Sequence, residues 1–293
     1  MRLSEVAPDL AKQTVADAVT IGVMSQPEDI CLLRHDGSGK NAFKNPLSFR
    51  YLDDNFIESD AVKIGKTFMD YLKKTKDPRI HVYCSLKDGN TEFDKQFGLP
   101  NGYDSHTIAD APSGSFVGLE NTSNFNINTI LRLDAPTIFL MPSETILLLA
   151  EAVLRNWTNG NAEVLYKEAI TSSMKEQEIA YGTQGKITDE EIETYLAQNL
   201  FSTANNTEKL QIIGEQYWVA TFINGYESYA NWRRTGYPKL IPTNYSGSMS
   251  PGVIPTRLPY PTDEYSINRA NVDTANQQQG ADKVTTHIWW DID

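Results

Sequence analysis

Four carboxylates crowd together at Asp189, Glu190, Glu191 and Glu193, and two carboxyl groups facing one sugar are all that glycoside hydrolysis demands. The same four fall on the first turn of a helix that "TDEEIETYLAQNL" predicts, where negative charge complements the helix dipole without chemical duty. Thr188 and Glu191 stand at capping-box spacing, which favours the structural reading. "DGNTEFD", residues 88 to 94, alternates oxygen-bearing side chains like the start of a calcium loop but has no glycine at its sixth position and no glutamate at its twelfth. Gly39-Lys40 is not a phosphate loop, because Arg34 and Asn41 stand where glycine and Ser or Thr are required. The histidines at 35, 81, 106 and 287 are isolated and form no HExxH, and no Gly-x-Ser-x-Gly elbow occurs. These patterns imply no catalytic residue, no metal site and no cofactor.

The balance of charge narrows the field further. A formal charge of −12 over 293 residues opposes binding to a polyanion, because nucleic-acid recognition rests on clustered Lys and Arg. Arg233 and Arg234 alone make no basic stripe. A hydrophobic content of 40% supplies a substantial core. Cys31 and Cys84 are too few for a disulfide scaffold, and no apolar run is long enough to span a membrane.

The elements follow from period and punctuation. "PDLAKQTVADAVT" predicts a helix closed by Gly22, and "SDAVKIGKTFMDYLKKTKDP" predicts another over 59 to 78, capped by Ser59 or Asp60 and stopped by Pro78. "SETILLLAEAVLRNW" reads as a buried helix, with Gly160 as its C-cap and Asn161 as the next N-cap. The second helix carries Ala162, Leu165, Tyr166, Ala169 and Ile170 on one stripe, so the pair is an antiparallel hairpin. "GNAEVLYKEAI" resembles the second half of a tetratricopeptide-type unit. A single helix from about 207 to 234 follows, apolar around its whole circumference and therefore buried, with Trp218 and Trp232 in structural roles. Between 79 and 142 only "RIHVYCSL" resembles a strand, and a loop region this long is more often functional than idle. From 235 to 293 the sequence predicts an irregular tail that wraps a folded body.

Read in order, "RLSEVAPDLAKQTVADAVTIGVM", "DYLKKTKDPRIHVY", "AEAVLRNWTNGNAEVLYKEAITSSM", "QYWVATFINGYESYANWRRTGYPKL", "IPTRLPYPTDEYSIN" and "THIWWD" resemble the SusD/RagB family of outer-membrane nutrient-binding lipoproteins. "NGYESYANWRRTGYP" is the most diagnostic piece. The resemblance implies a mainly α fold of tetratricopeptide-like hairpins, a loop-rich insertion at 79–142 facing the ligand, a helical scaffold at 143–234 and the wrapping tail. It also implies that this chain is the C-terminal portion of a longer lipoprotein anchored at the cell surface by an N-terminal lipid. In that ending Arg233 and Arg234 are expected to satisfy helix C-terminal carbonyls while Gly236 and Pro238 force a turn.

The function the resemblance implies is capture of an oligosaccharide, or a peptide, for delivery to a SusC-like TonB-dependent transporter. A helical carbohydrate-active enzyme and a helical-repeat adaptor are the alternatives. Sugar binding without chemistry calls for aromatic faces with amides and carboxylates beside them. The segment 85 to 126 offers Phe93, Phe97, Tyr103, Phe116 and Phe125, with Asn101, Asp104 and Asn121 nearby. Phe97, Tyr103 and Phe116 are the ligand-contacting residues expected.

Overall fold

The computed structural model describes residues 1–53, 63–103, 107–201, 203–243 and 248–291. Helices α1 (Pro8–Ile21) and α2 (Pro46–Asp53) precede α3 (Lys66–Thr75) and the single turn α4 (Ile80–Tyr83). The scaffold is α5 (Pro142–Leu154), α6 (Ala162–Tyr181), α7 (Asp189–Gln198), α8 (Asn206–Ala220) and α9 (Gly225–Thr235), and α10 (Thr262–Ile267) and α11 (Arg269–Gln279) close the chain. Strand pairs are small: β1 (Cys31–Leu33) lies antiparallel to β4 (Thr137–Leu140), and β2 (Cys84–Ser85) to β3 (Asn124–Phe125). The fold is mainly α and tetratricopeptide-like.

Packing begins with the α5–α6 hairpin, onto which α8 is laid. Leu147, Ala150, Ala169, Ile170 and Met174 are sealed between these helices, and fully burying a side chain the size of Leu147, Ile170 or Met174 stabilises by about 2 kcal/mol. Local signals set the helix ends. The Asn161 side chain accepts from the amides of Glu163 and Val164, and Thr188 with Glu191 closes the expected capping box, matched by Asn205 with Glu208 at the start of α8. Through the core runs a polar thread that the sequence does not advertise. Arg79, fully buried, donates to both oxygens of Asp77, to Ser173 of α6 and to Gln216 of α8, and Gln216 in turn donates to the Tyr195 hydroxyl of α7.

Several expectations need correction. Helix α3 begins at Lys66, after Ile64 and Lys66 have been stitched to Leu99 and Ser123 by backbone hydrogen bonds; the expected caps Ser59 and Asp60 lie outside the described residues. Half of "RIHVYCSL" is the helical turn α4, and only Cys84 and Ser85 form a strand. Helix α5 ends at Leu154 with left-handed Asn156 just beyond, so Gly160 is not its cap. The expected single helix over 207 to 234 is two, α8 and α9. The Asn224 side chain accepts from the Glu227 amide to start α9, and Thr221 Oγ1 accompanies the end of α8 by donating to the Tyr217 carbonyl. The break divides one apolar circumference into two narrower faces and leaves Tyr226 92% exposed.

The ending of α9 also differs. Gly236 takes the left-handed cap as expected, but neither arginine serves the helix's own carbonyls. Arg234 is buried against Glu151 of α5, and Arg233 donates to the Thr256 carbonyl while lying over the rings of Tyr229 and Trp290. The tail is not wholly irregular, since it contains α10 and α11. It is strapped by the amides of Thr256 and Arg257 onto the Val284 carbonyl and by a buried Arg257–Asp282 pair. Cys31 is exposed and Cys84 buried, and both are free thiols.

Candidate ligand-binding groove

Where the first turn of α3 meets the chain at 240–243, the surface opens into two adjoining hollows of about 630 and 540 Å3. They share Thr67, Asn101, Ile241, Pro242 and Thr243, so together they form one groove. The start of α3 is fixed by close backbone approach. A side chain at Gly98 would place its Cβ 2.4 Å from the Lys66 Cα, so only glycine lets the 97–99 strand-like segment lie against the helix start. Gly102, at φ 86°, does the same for the 100–103 loop, whose backbone rests on the Thr243 side chain.

The groove's second hollow has an aromatic wall. Trp218 of α8 is half-buried there, held edge-on by Phe68 at 4.9 Å and 87° and by Tyr71 at 5.8 Å and 67° between ring centroids and planes. Phe68 is itself stacked on Phe222 at 4.5 Å. Trp218 is therefore both a core residue and a groove residue, which the expectation of a purely structural role does not include. Trp232 is half-buried elsewhere, stacked on Tyr229 at 6.2 Å.

Charge in the groove nearly cancels. Lys66 Nζ sits on the Asp70 carboxylate at 2.6 Å, leaving Asp110 as the remaining carboxylate among the described lining of the first hollow, and the second hollow has no charged residue among its own described lining. Hydroxyls and an amide from Thr67, Asn101, Thr107, Ser115 and Thr243 fill the intervals.

The expected ligand residues part company. Tyr103 and Asn101 line the first hollow. Phe97 is 38% exposed, but Lys73 Nζ lies 4.2 Å over its ring while donating to the Asp94 carbonyl. Phe116 is half-buried and is not among the groove-lining residues. Phe125 packs edge-on against Tyr51 and Phe222, Asn121 donates into its own turn at the Val117 carbonyl, and Phe93 packs against the main core. Asp104 lies outside the described residues.

Most amides and hydroxyls of this loop region serve its own backbone. Gln96 donates to the carbonyls of Asn90 and Glu92, Asn126 to that of His81, and Thr129 to that of Val82, as buried irregular backbone requires. Sequence reasoning missed Thr67, Trp218 and the 240–243 segment. No local signal in the sequence marks them, because Thr67 and Trp218 belong to helices and residues 240–243 to the tail.

Comparison with known proteins now adds the decisive observation: residues 1–291 match the model of a family described as SusD-like, SusD and RagB outer membrane lipoproteins. The chain belongs to the SusD-like family. A chitin-binding protein superposes with a TM-score of 0.82 at 29% identity, covering 100% of this chain and 62% of that one. A Bacteroidetes SusD-like protein superposes at 0.81 with 25% identity, over 100% of this chain and 67% of its own. A chitin-binding SusD homologue from Flavobacterium johnsoniae shares the fold at 0.76 and 24% identity, over 100% and 61%. This SusD-like chain thus spans 62% of the length of the first of these relatives. Comparison with curated proteins finds no match. Among the described residues, no helix is long and apolar enough to cross a membrane, and no group of His, Cys, Asp and Glu could hold a metal ion.

Proposed function

We propose that this SusD-like chain is the ligand-binding portion of a cell-surface lipoprotein that captures an oligosaccharide and delivers it to a SusC-like TonB-dependent transporter, without chemical turnover. The observation that carries the reading is the groove itself: a half-buried indole and a tyrosine ring among hydroxyls and an amide, with almost no net charge among the described lining residues. Such a lining matches the apolar faces and hydroxyl edges of neutral sugar rings. Of the three rings expected from sequence, Tyr103 is the proposed contact, joined by Trp218 and Asn101; Phe97 and Phe116 take flanking positions.

Two relatives of the same fold are described as chitin-binding, which makes oligomers of N-acetylglucosamine the first ligands to try. Titration calorimetry against those oligomers and a panel of neutral glycans and peptides, followed by product analysis, tests both halves of the reading. Saturable glycan binding with intact ligand recovered supports it. Binding of peptides alone, or cleavage of any glycan well above buffer, overturns it.

A further inference from the structure

A second cavity, of about 670 Å3, lies at the far end of α3 from the groove. Lys66 lines the groove and Lys76 this cavity, and ten residues at a rise of about 1.5 Å each set the two about 15 Å apart along the helix. Its volume is that of a small-molecule site. Buried Ile80 and Tyr195 give it an apolar floor, and the half-buried Phe93 gives it a ring. Phe93 is one of the aromatics that segment 85 to 126 offers for sugar binding, and it lines this cavity rather than the groove.

Besides the Lys76 ammonium, which only donates, the rim carries groups that accept or share hydrogen bonds. Thr91, Thr194 and Gln198 supply two hydroxyls and an amide, and Glu190 a carboxylate. Glu191 spends one oxygen, Oε2, on the Thr188 cap. The His81 ring is oriented by its neighbour: Nε2 lies 3.3 Å from the Lys186 carbonyl, which can only accept, so in the neutral ring Nε2 carries the hydrogen. That leaves Nδ1 as an acceptor. The charged groups of the lining are Lys76 against Glu190 and Glu191, one carboxylate in excess.

We propose that this cavity is a second binding site, separate from the groove, for a sugar ring that bears no negative charge. An apolar floor with one aromatic ring, bordered by acceptors, complements a pyranose whose one face is C–H and whose edge is hydroxyl, and the excess carboxylate excludes uronates and sulfated sugars. The ligand class rests on the glycan-binding reading given above; the location does not.

The test uses the disaccharide of N-acetylglucosamine, too short to bridge the two sites, and two blocking variants at lining positions. Thr194 is exposed on α7 and Thr243 on the groove edge, so Thr194→Arg and Thr243→Arg leave the core untouched. Two binding events are expected for the native chain and one for each variant. The His81 imidazole NMR signals should move on adding disaccharide to the native chain and to Thr243→Arg, and stay fixed in Thr194→Arg. A disaccharide containing a uronate should not move them. If Thr194→Arg binds like the native chain and His81 never responds, the cavity is not a site, whatever the groove does. If Thr243→Arg changes nothing while Thr194→Arg abolishes binding, the groove reading fails and the cavity stands. Absence of any binding by the native chain overturns both.

Discussion

Arg234 in the last turn of α9 lays its guanidinium fork on the Glu151 carboxylate of α5, Nη1 to Oε1 and Nη2 to Oε2, each at 2.7 Å. Both side chains are almost wholly enclosed, and Arg155 Nε holds the same Glu151 at 2.8 Å. Burial works against the ionised forms, but the opposed charges and shared hydrogens outweigh it. Glu151 is held below the usual carboxylate range and Arg234 above that of a free guanidinium. This pair clamps the diagnostic "NWRRTGYP" ending to the helical hairpin.

Removing one partner strands the other charge in the interior, so Arg234→Ala is expected to cost about 3 to 5 kcal/mol. Arg234→Lys should recover only part of that, because an ammonium cannot reproduce the two-pronged geometry. Urea unfolding with an unchanged m-value checks both. A loss below about 1 kcal/mol for Arg234→Ala would show that the clamp contributes little.

A contrast between two glycines tests how the groove is held. Gly98→Ala drives a methyl to 2.4 Å from the Lys66 Cα, and overpacking of this kind typically costs about 1 to 3 kcal/mol. Gly225 opens α9 with nothing within 4 Å of its would-be Cβ. Gly225→Ala is therefore expected to be neutral or to stabilise by up to about 1 kcal/mol. Thermal melts of the two variants should move apart, and equal shifts would refute the account of the α3 start.

Much of this fold was legible because its signals are local. The hairpin of α5 and α6, the Asn161 cap and the Thr188–Glu191 box each depend on residues within a few positions of one another. What escaped depends on distant partners. Asn224-Gly225 looks like the interior of an aromatic helix until the Asn224 side chain is seen capping α9. Arg79, Ser173 and Gln216 converge from 137 positions apart, and no spacing rule predicts them. The groove shows the same division: Tyr103 and Asn101 sit on a loop whose composition drew notice, whereas Trp218 and Thr243 reach it from elements read as core and tail.

Stability should fall as pH rises from mildly acidic toward alkaline values because of Glu144. Its carboxyl is pushed up to about 8 by burial, with the charges of Glu227 and Glu176 adding to the effect and the Tyr217 hydroxyl and Arg2 opposing it. One oxygen, Oε1, has no hydrogen-bond partner. A group that binds its proton more tightly folded than unfolded stabilises fully below the unfolded value of 4.5, and that contribution is lost as pH climbs through about 8. Glu176 is buried and shifted in the same direction, its burial outweighing bonds from Ser143 and Ser172. Glu144→Gln keeps a neutral group of the same shape and should flatten the profile between pH 4.5 and about 8. Denaturation midpoints measured across that range decide it: an unchanged slope in Glu144→Gln would place the pH response on other groups.

The proposed capture makes its sharpest demand on Trp218, whose ring would serve the core and the ligand at once. Trp218→Phe retains an aromatic edge for Phe68 and Tyr71 while giving up the larger indole surface and its N–H. Affinity for the captured glycan should drop several-fold, with the melting temperature changed by only a few degrees. Tyr103→Ala removes a half-exposed ring from the first hollow and should cost about 1 kcal/mol of binding, near the value of an aromatic contact, with no loss of fold. Phe97→Ala and Phe116→Ala should each stay within about twofold of native affinity, well under the tenfold that about 1.4 kcal/mol represents, because neither ring lines the groove and Lys73 already covers that of Phe97. Calorimetry on the four variants separates the possibilities. If Phe97→Ala or Phe116→Ala abolishes binding while Trp218→Phe and Tyr103→Ala do not, the ligand lies on the outer side of the 85–126 loop and the groove is not its site.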